Sequence, residues 1–86
     1  MISRGTRDFW ALYHRLSPEA RAQARKAFLL FAVNPDHPSL RFKKLHSAYP
    51  FWSVRFGNGY RAVCRREADS AEWIWIGTHH DFDKMF

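Results

Sequence analysis

The sequence predicts an α+β fold in which an N-terminal antiparallel helical hairpin packs on a three- to four-stranded antiparallel sheet with a short C-terminal tail. Three observations predict it. Apolar residues recur at helical spacing from Thr6 to about Val33, interrupted only at Ser17-Pro18. From Leu40 to Arg66 the pattern changes to a period of two, the period of a half-buried strand. Between two such stretches lies Gly57-Asn58-Gly59, whose residues tolerate the positive φ of a tight hairpin. With 86 residues and no linker, repeat or low-complexity segment, residues 1–86 read as one domain.

Each element has its own local cause. Met1 to Gly5 is too short and polar to define, and reads as a frayed end or a brief edge strand. Thr6 to Leu16 places Phe9, Leu12, Tyr13 and Leu16 on one helical face, with Thr6 as cap and Asp8 near the positive end. Ser17-Pro18-Glu19 restarts the helix, with serine as N-cap and proline in the first turn. The second helix runs to about Val33 and should bury Ala20, Ala24, Ala27, Phe28 and Phe31. Asn34-Pro35 and His37-Pro38 stop it. Leu40 to Leu45 alternates Leu40 and Phe42 against Arg41 and Lys43, a half-buried strand with a basic outer face.

The central hairpin follows. Phe51 to Phe56 and Tyr60 to Arg66 both alternate, and loop length sets which side chains meet. A three-residue loop, Gly57 to Gly59, pairs Phe56 with Tyr60 and Val54 with Ala62, and so keeps one face apolar. It also sets Arg55 directly opposite Arg61, a like-charge pair that costs up to roughly 1 kcal/mol and makes most sense with an anion between them. Arginine on a solvated sheet face is also common, so the hairpin alone does not decide. Trp73 to Ile76 is apolar on both sides and reads as an interior strand. Gly77 ends it, and Asp81 to Phe86 reads as a short tail of one helical turn that lays Phe82 or Phe86 on the core.

Composition narrows the class. There are 14 Lys and Arg against 8 acids, a formal charge of +6, and a pI near 10.1. So basic a small domain points to nucleic acid, an anionic surface or an acidic protein partner. The single Cys64 alternates onto the apolar face, which suits a reducing cytoplasm and gives no internal disulfide. No apolar run approaches the ~18 residues of a membrane span, and Met1 to Thr6 has no apolar leader, so the expectation is a cytoplasmic protein without a membrane partner.

The sequence has no P-loop, GxSxG, CxxC or dinucleotide fingerprint. His79-His80-Asp81-Phe82-Asp83 resembles a metal ligand run, but adjacent histidines on a strand diverge, so no metal or other cofactor is expected. Arg55, Arg61 and a histidine remain. Two arginines can hold a phosphodiester and stabilise its transition state, and a histidine, with an ordinary pKa near ~6.5, can carry the proton. That is a kit for metal-free RNA cleavage with the 2′-hydroxyl as nucleophile. Arg41, Lys43, Lys44 and Arg65 are the expected RNA-binding residues. The register of the last hairpin stays open. A turn at Asp69 to Ala71 sets Arg61 opposite His79, whereas a turn at Asp69-Ser70 sets Tyr60 there.

These residues carry a resemblance. NPDHPSLRFKKL, SVRFGNGYRAVCR and WIWIGTHHDFDKMF, with GYRAV and GTH-x-D the most specific segments, resemble the RelE/ParE superfamily of toxins from bacterial type II toxin–antitoxin pairs. The resemblance implies a small basic ribonuclease cutting mRNA at the ribosome, neutralised by a cognate antitoxin. Its alternatives are a ParE-like DNA gyrase-inhibiting toxin or an inactive nucleic-acid-binding relative. It implies that Arg61 binds phosphate, that Arg55 is the basic residue closing SVR, and that His79 is the catalytic histidine of the GTH subgroup. It also marks two departures: Ser53 stands where a lysine is expected, and only Phe82 and Phe86 lie near the place of a C-terminal tyrosine.

Overall fold

A computed structural model describes residues 1–46 and 48–86. Five strands form one sheet in the order β1-β5-β4-β3-β2: β1 (Ile2–Gly5), β2 (Lys43–Lys44), β3 (Phe51–Phe56), β4 (Tyr60–Glu67) and β5 (Ser70–Thr78). Three α-helices accompany them: α1 (Arg7–His14), α2 (Pro18–Val33) and α3 (His79–Met85). The sheet is therefore five-stranded and mixed, not the three- to four-stranded antiparallel sheet expected, because β1 pairs in parallel with β5. Of the two readings of Met1 to Gly5, the brief edge strand is the one observed; its parallel pairing could not be read because its partner lies at the far end of the chain. Backbone bonds extend its pairing at both ends, from Ile2 N to Asp69 O (2.8 Å) and from Thr6 N to Trp73 O (2.9 Å).

Both long helices start where the caps lie. Thr6 Oγ1 accepts from Phe9 N at 3.2 Å and Ser17 Oγ accepts from Ala20 N at 3.1 Å, each satisfying a donor with no partner inside the helix. α1 ends at His14, two residues before the expected Leu16. The Arg21 guanidinium donates to the His14 and Leu16 carbonyls at 3.2 and 2.7 Å, tying α2 to the end of α1. On α2, Ala20 and Phe31 are buried, and Ala24 and Ala27 pack against the same core. Phe28, expected in that stripe, is about half exposed. At 100° per residue it falls well to one side of the arc that holds Ala20, Ala24, Ala27 and Phe31.

The expected strand from Leu40 to Leu45 shrinks to Lys43–Lys44. Pro38–Leu40 instead form a single 3-10 turn, and Arg41 follows with left-handed backbone at φ 47°. Leu40 is nonetheless buried, and Phe42 sets its ring edge-on to Phe31 at 5.0 Å.

The β3–β4 hairpin has the register that a three-residue loop requires: Phe56 faces Tyr60, Val54 faces Ala62 and Arg55 faces Arg61. Gly57 and Gly59 both take positive φ. The β4–β5 hairpin follows neither alternative. Its turn is Ala68-Asp69, with Ala68 at φ 50°, and Glu67 faces Ser70. Further along, Cys64 faces Trp73 and Val63 faces Trp75, so Ile74 is an extra residue in β5. This bulge sends Trp73 into the core beneath the long helices, with Val54, Phe56, Ala62 and Cys64. Trp75 goes instead to a second cluster with Val63 and with Phe82 of α3. As a result Arg61 faces Gly77 and Tyr60 faces Thr78. His79 lies beyond the ladder and opens a helix, so His79 and His80 are helical neighbours rather than strand ones.

Candidate functional site

The site forms where β4, β2 and α3 meet. Alternation puts Arg55 of β3 and Arg61 and Arg65 of β4 on the sheet face that carries Val63. α3 is seated against that face by Phe82, which packs on Trp75 and Val63. Thr78 makes the corner from β5 into α3: its Oγ1 accepts from Asp81 N at 3.1 Å. His79 N donates to Gly59 O at 2.8 Å, fastening the first residue of α3 to the β3–β4 loop.

A cleft of about 640 Å³ opens there. Its polar lining is Lys43, Lys44, His46, Arg61, His79 and Asp83, and its apolar lining includes Phe51, Phe82 and Phe86. The Arg61 guanidinium sits 5.0 Å from the centre of the Phe82 ring. That arrangement holds a cation by its quadrupole attraction and leaves its N–H groups for another partner. His79 Nε2 lies 3.3 Å from Asp83 Oδ1, one helical turn on. Three basic residues and two imidazoles thus line one concave surface with a single carboxylate among them; Lys43, opposite Ser53, lies on the face of Arg61, whereas Lys44, opposite Trp52, alternates to the other face. Such a surface can bind a phosphodiester, stabilise added charge on it and move a proton.

Of the residues singled out in the sequence, Arg61, His79, Lys43 and Lys44 share this cleft. Arg55 is exposed opposite Arg61 but does not line it. Arg65 is exposed and paired with Glu67, its Nε 3.5 Å from Oε1. Arg41 is exposed on the connection before β2. Ser53, at the position of an expected lysine, is fully buried, and its Oγ has no hydrogen-bond partner among the described residues. His46 and Asp83 were missed. A signal for Asp83 existed in its i,i+4 spacing from His79, visible only once that segment is read as helix.

Cys64 takes no part. It is fully buried, and burial pushes its thiol up to about 12 against the opposing pull of nearby Arg66. A thiol so held is not a nucleophile.

A second concave surface lies by α1, α2 and β1. It is an apolar groove of about 410 Å³ whose lining includes Phe9, Trp10, Tyr13, Phe28 and Leu29, with Arg4 and Arg25 also contributing. Trp10, Phe28 and Leu29 are exposed.

Comparison with known proteins gives consistent results. A family model described as ParE-like toxin domain matches residues 18–84. No curated protein matches the sequence. Among solved structures, the isolated RelE toxin of E. coli superposes with a TM-score of 0.69 at 14% identity, covering 99% of this chain and 98% of that one. The YoeB/ParE toxin from Agrobacterium tumefaciens gives 0.71 at 19% identity, over 92% and 99%. The RelBE2 toxin–antitoxin complex of Mycobacterium tuberculosis gives 0.64 at 21% identity, over 90% and 95%. At these identities the likeness is one of fold.

Proposed function

The chain belongs to the ParE-like toxin domain family, within the RelE/ParE superfamily of type II toxin–antitoxin toxins, and from that premise we propose that it is a metal-independent endoribonuclease acting on mRNA. The observation that carries this reading is that Arg61, His79, Lys43 and Lys44 line one cleft.

In the proposed reaction the 2′-hydroxyl oxygen of a ribose attacks the adjacent phosphorus. The new 2′-O–P bond forms as the P–O5′ bond breaks, giving a 2′,3′-cyclic phosphate and a 5′-hydroxyl. One proton leaves the 2′-oxygen and one is delivered to the 5′-oxygen. His79 carries a proton in this exchange, and Arg61 donates hydrogen bonds to the phosphoryl oxygens as charge builds on them. Lys43 and Lys44 hold flanking phosphates, while Arg41, Arg65 and Arg55 extend the basic surface beyond the cleft. The site of action is proposed to be mRNA on the ribosome.

A cognate antitoxin is the proposed protein partner. Solved structures of similar fold include antitoxin complexes, among them E. coli RelBE and Methanococcus jannaschii RelB–RelE. An acidic extended segment would suit the basic cleft and the free edge at β2, where the sheet ends. An apolar segment of the same partner would suit the groove at Trp10, Phe28 and Leu29.

The test is growth arrest and mRNA cleavage after induction, with circular dichroism to confirm folding. Arg61→Ala should lower the cleavage rate by ~10²–10³, the usual loss for one donor to developing charge. His79→Gln should cost ~10²–10⁴. Full toxicity in a folded Arg61→Ala, His79→Gln double variant would overturn the ribonuclease reading. It would favour the gyrase-directed alternative, which the ParE-like family match keeps in view and which inhibition of DNA supercoiling would then identify.

A further inference from the structure

We infer that the row of aromatic rings Tyr49, Phe51 and Phe86 is a stacking subsite for the nucleobases of single-stranded RNA; this rests on reading the adjoining cleft as the RNA site. Tyr49 and Phe51 are stacked, with ring centres 5.4 Å apart and planes 24° from parallel. Phe51 then meets Phe86 edge-on at 6.3 Å. Phe86 is braced from behind by Trp75 at 5.7 Å and stacked on Phe82 at 5.4 Å. Despite this bracing, 62% of Tyr49 and 42% of Phe86 remain exposed. Rings side by side with this much surface in water form an exposed apolar patch, the kind of surface that marks an interaction site.

The backbone beside Tyr49 is also fixed. Phe51 N donates to Tyr49 O at 2.8 Å, and Arg66 N donates to Pro50 O at 2.9 Å. The row is therefore preorganised, which lowers the ordering cost of binding.

Its setting selects the ligand. Phe51 and Phe86 line the same cleft as Lys43 and Lys44, so aromatic faces and cations lie side by side. Single-stranded nucleic acid is bound by that combination, phosphates on the cations and bases on the rings. A duplex has its bases already stacked on one another and cannot offer their faces. Every base has such a face, so the subsite should favour single strands over duplexes while discriminating weakly among sequences.

The experiment uses the whole protein and 2′-O-methyl RNA hexamers, which cannot be cleaved by 2′-oxygen attack. Affinity is compared for a base-bearing strand, an abasic strand of the same length, and a duplex. The base-bearing strand should bind roughly 5- to 100-fold more tightly than the abasic one, the range that stacking of one base supplies. Tyr49→Ala should close much of that gap, and Tyr49→Phe should restore it. Phe86→Ala should act in the same direction, with circular dichroism checking α3; Tyr49, more exposed, carries the test if that variant misfolds. Equal affinity for base-bearing and abasic strands, or an unchanged gap in Tyr49→Ala, would overturn the stacking subsite and leave the RNA cleft standing. Failure to bind any of the three would overturn both.

Discussion

Arg61 and Arg55 face each other across β3 and β4 yet have different surroundings. Arg61 is held over Phe82 at the cleft, whereas Arg55 stands exposed beside it. Their pairing was legible because loop length and alternation leave only one register that keeps a face apolar. The position of His79 was not legible. It depends on an alanine with positive φ at Ala68 and on one extra residue at Ile74, and neither has a sequence signal. Cys64 gives a prediction at this scale. Its thiol, raised from 9.0 to about 12 by burial, stays protonated in the folded protein at a pH where the unfolded chain ionises. Unfolding then releases a proton, so this group's share of stability is complete below 9.0 and is lost as pH rises from there towards about 12. Urea midpoints should fall over that alkaline range, and Cys64→Ala should flatten the fall. An equally steep fall in the variant would assign the effect to other groups. The same burial should leave the native thiol unreactive to a thiol reagent until the protein unfolds.

Helices and hairpins whose signals are local were read well, whereas elements made by distant partners were not. Thr6, Ser17 and Pro18 announce α1 and α2 by capping chemistry alone. β1 exists because Trp73 and its neighbours lie ready to pair with it, and β2 is cut to two residues by the turn at Arg41. The single helical turn expected from Asp81 is a longer helix, α3, that begins at His79; its start was hidden because Thr78 is at once the last strand residue and the helix cap. That double role makes Thr78 a hinge between sheet and site. Thr78→Ala removes the hydroxyl that accepts from Asp81 N, a change worth ~1 kcal/mol at a helix start. The loss should fall on α3, which carries His79 and Asp83. Hydrogen exchange should speed up for the amides of α3 more than for those of β4, and mRNA cleavage should fall while the melting temperature drops by roughly 4–8 °C, the shift that ~1 kcal/mol produces in a domain of this size. Unchanged exchange in α3 would show that Phe82 packing, not the cap, holds the helix in place.

Across the whole molecule the sheet divides the labour. One face carries the core beneath α1 and α2, and the other carries α3 and the cleft. No helix among the described residues is long and apolar enough to cross a membrane. The charge of +6 is not spread evenly in its consequences. Arg4 is matched by Glu72 at 2.7 Å and Arg65 lies near Glu67, whereas among the described residues neither Lys43 nor Lys44 forms an ion pair. Counterions gathered at such unmatched cations are displaced, with those on the nucleic acid, when a phosphate takes their place. Binding should therefore weaken steeply with salt. Replacing both Lys43 and Lys44 by alanine should weaken the binding of a non-cleavable single-stranded RNA. It should also reduce the slope of log affinity against log salt by about 0.7 for each phosphate no longer neutralised. Both lysines are exposed on a two-residue edge strand, so the fold should tolerate the change. The measurement is a salt titration of the double variant beside the parent protein. A parallel line at lower affinity would mean that the lysines shape the cleft without touching phosphate, and an unmoved line would place the binding surface elsewhere on the molecule.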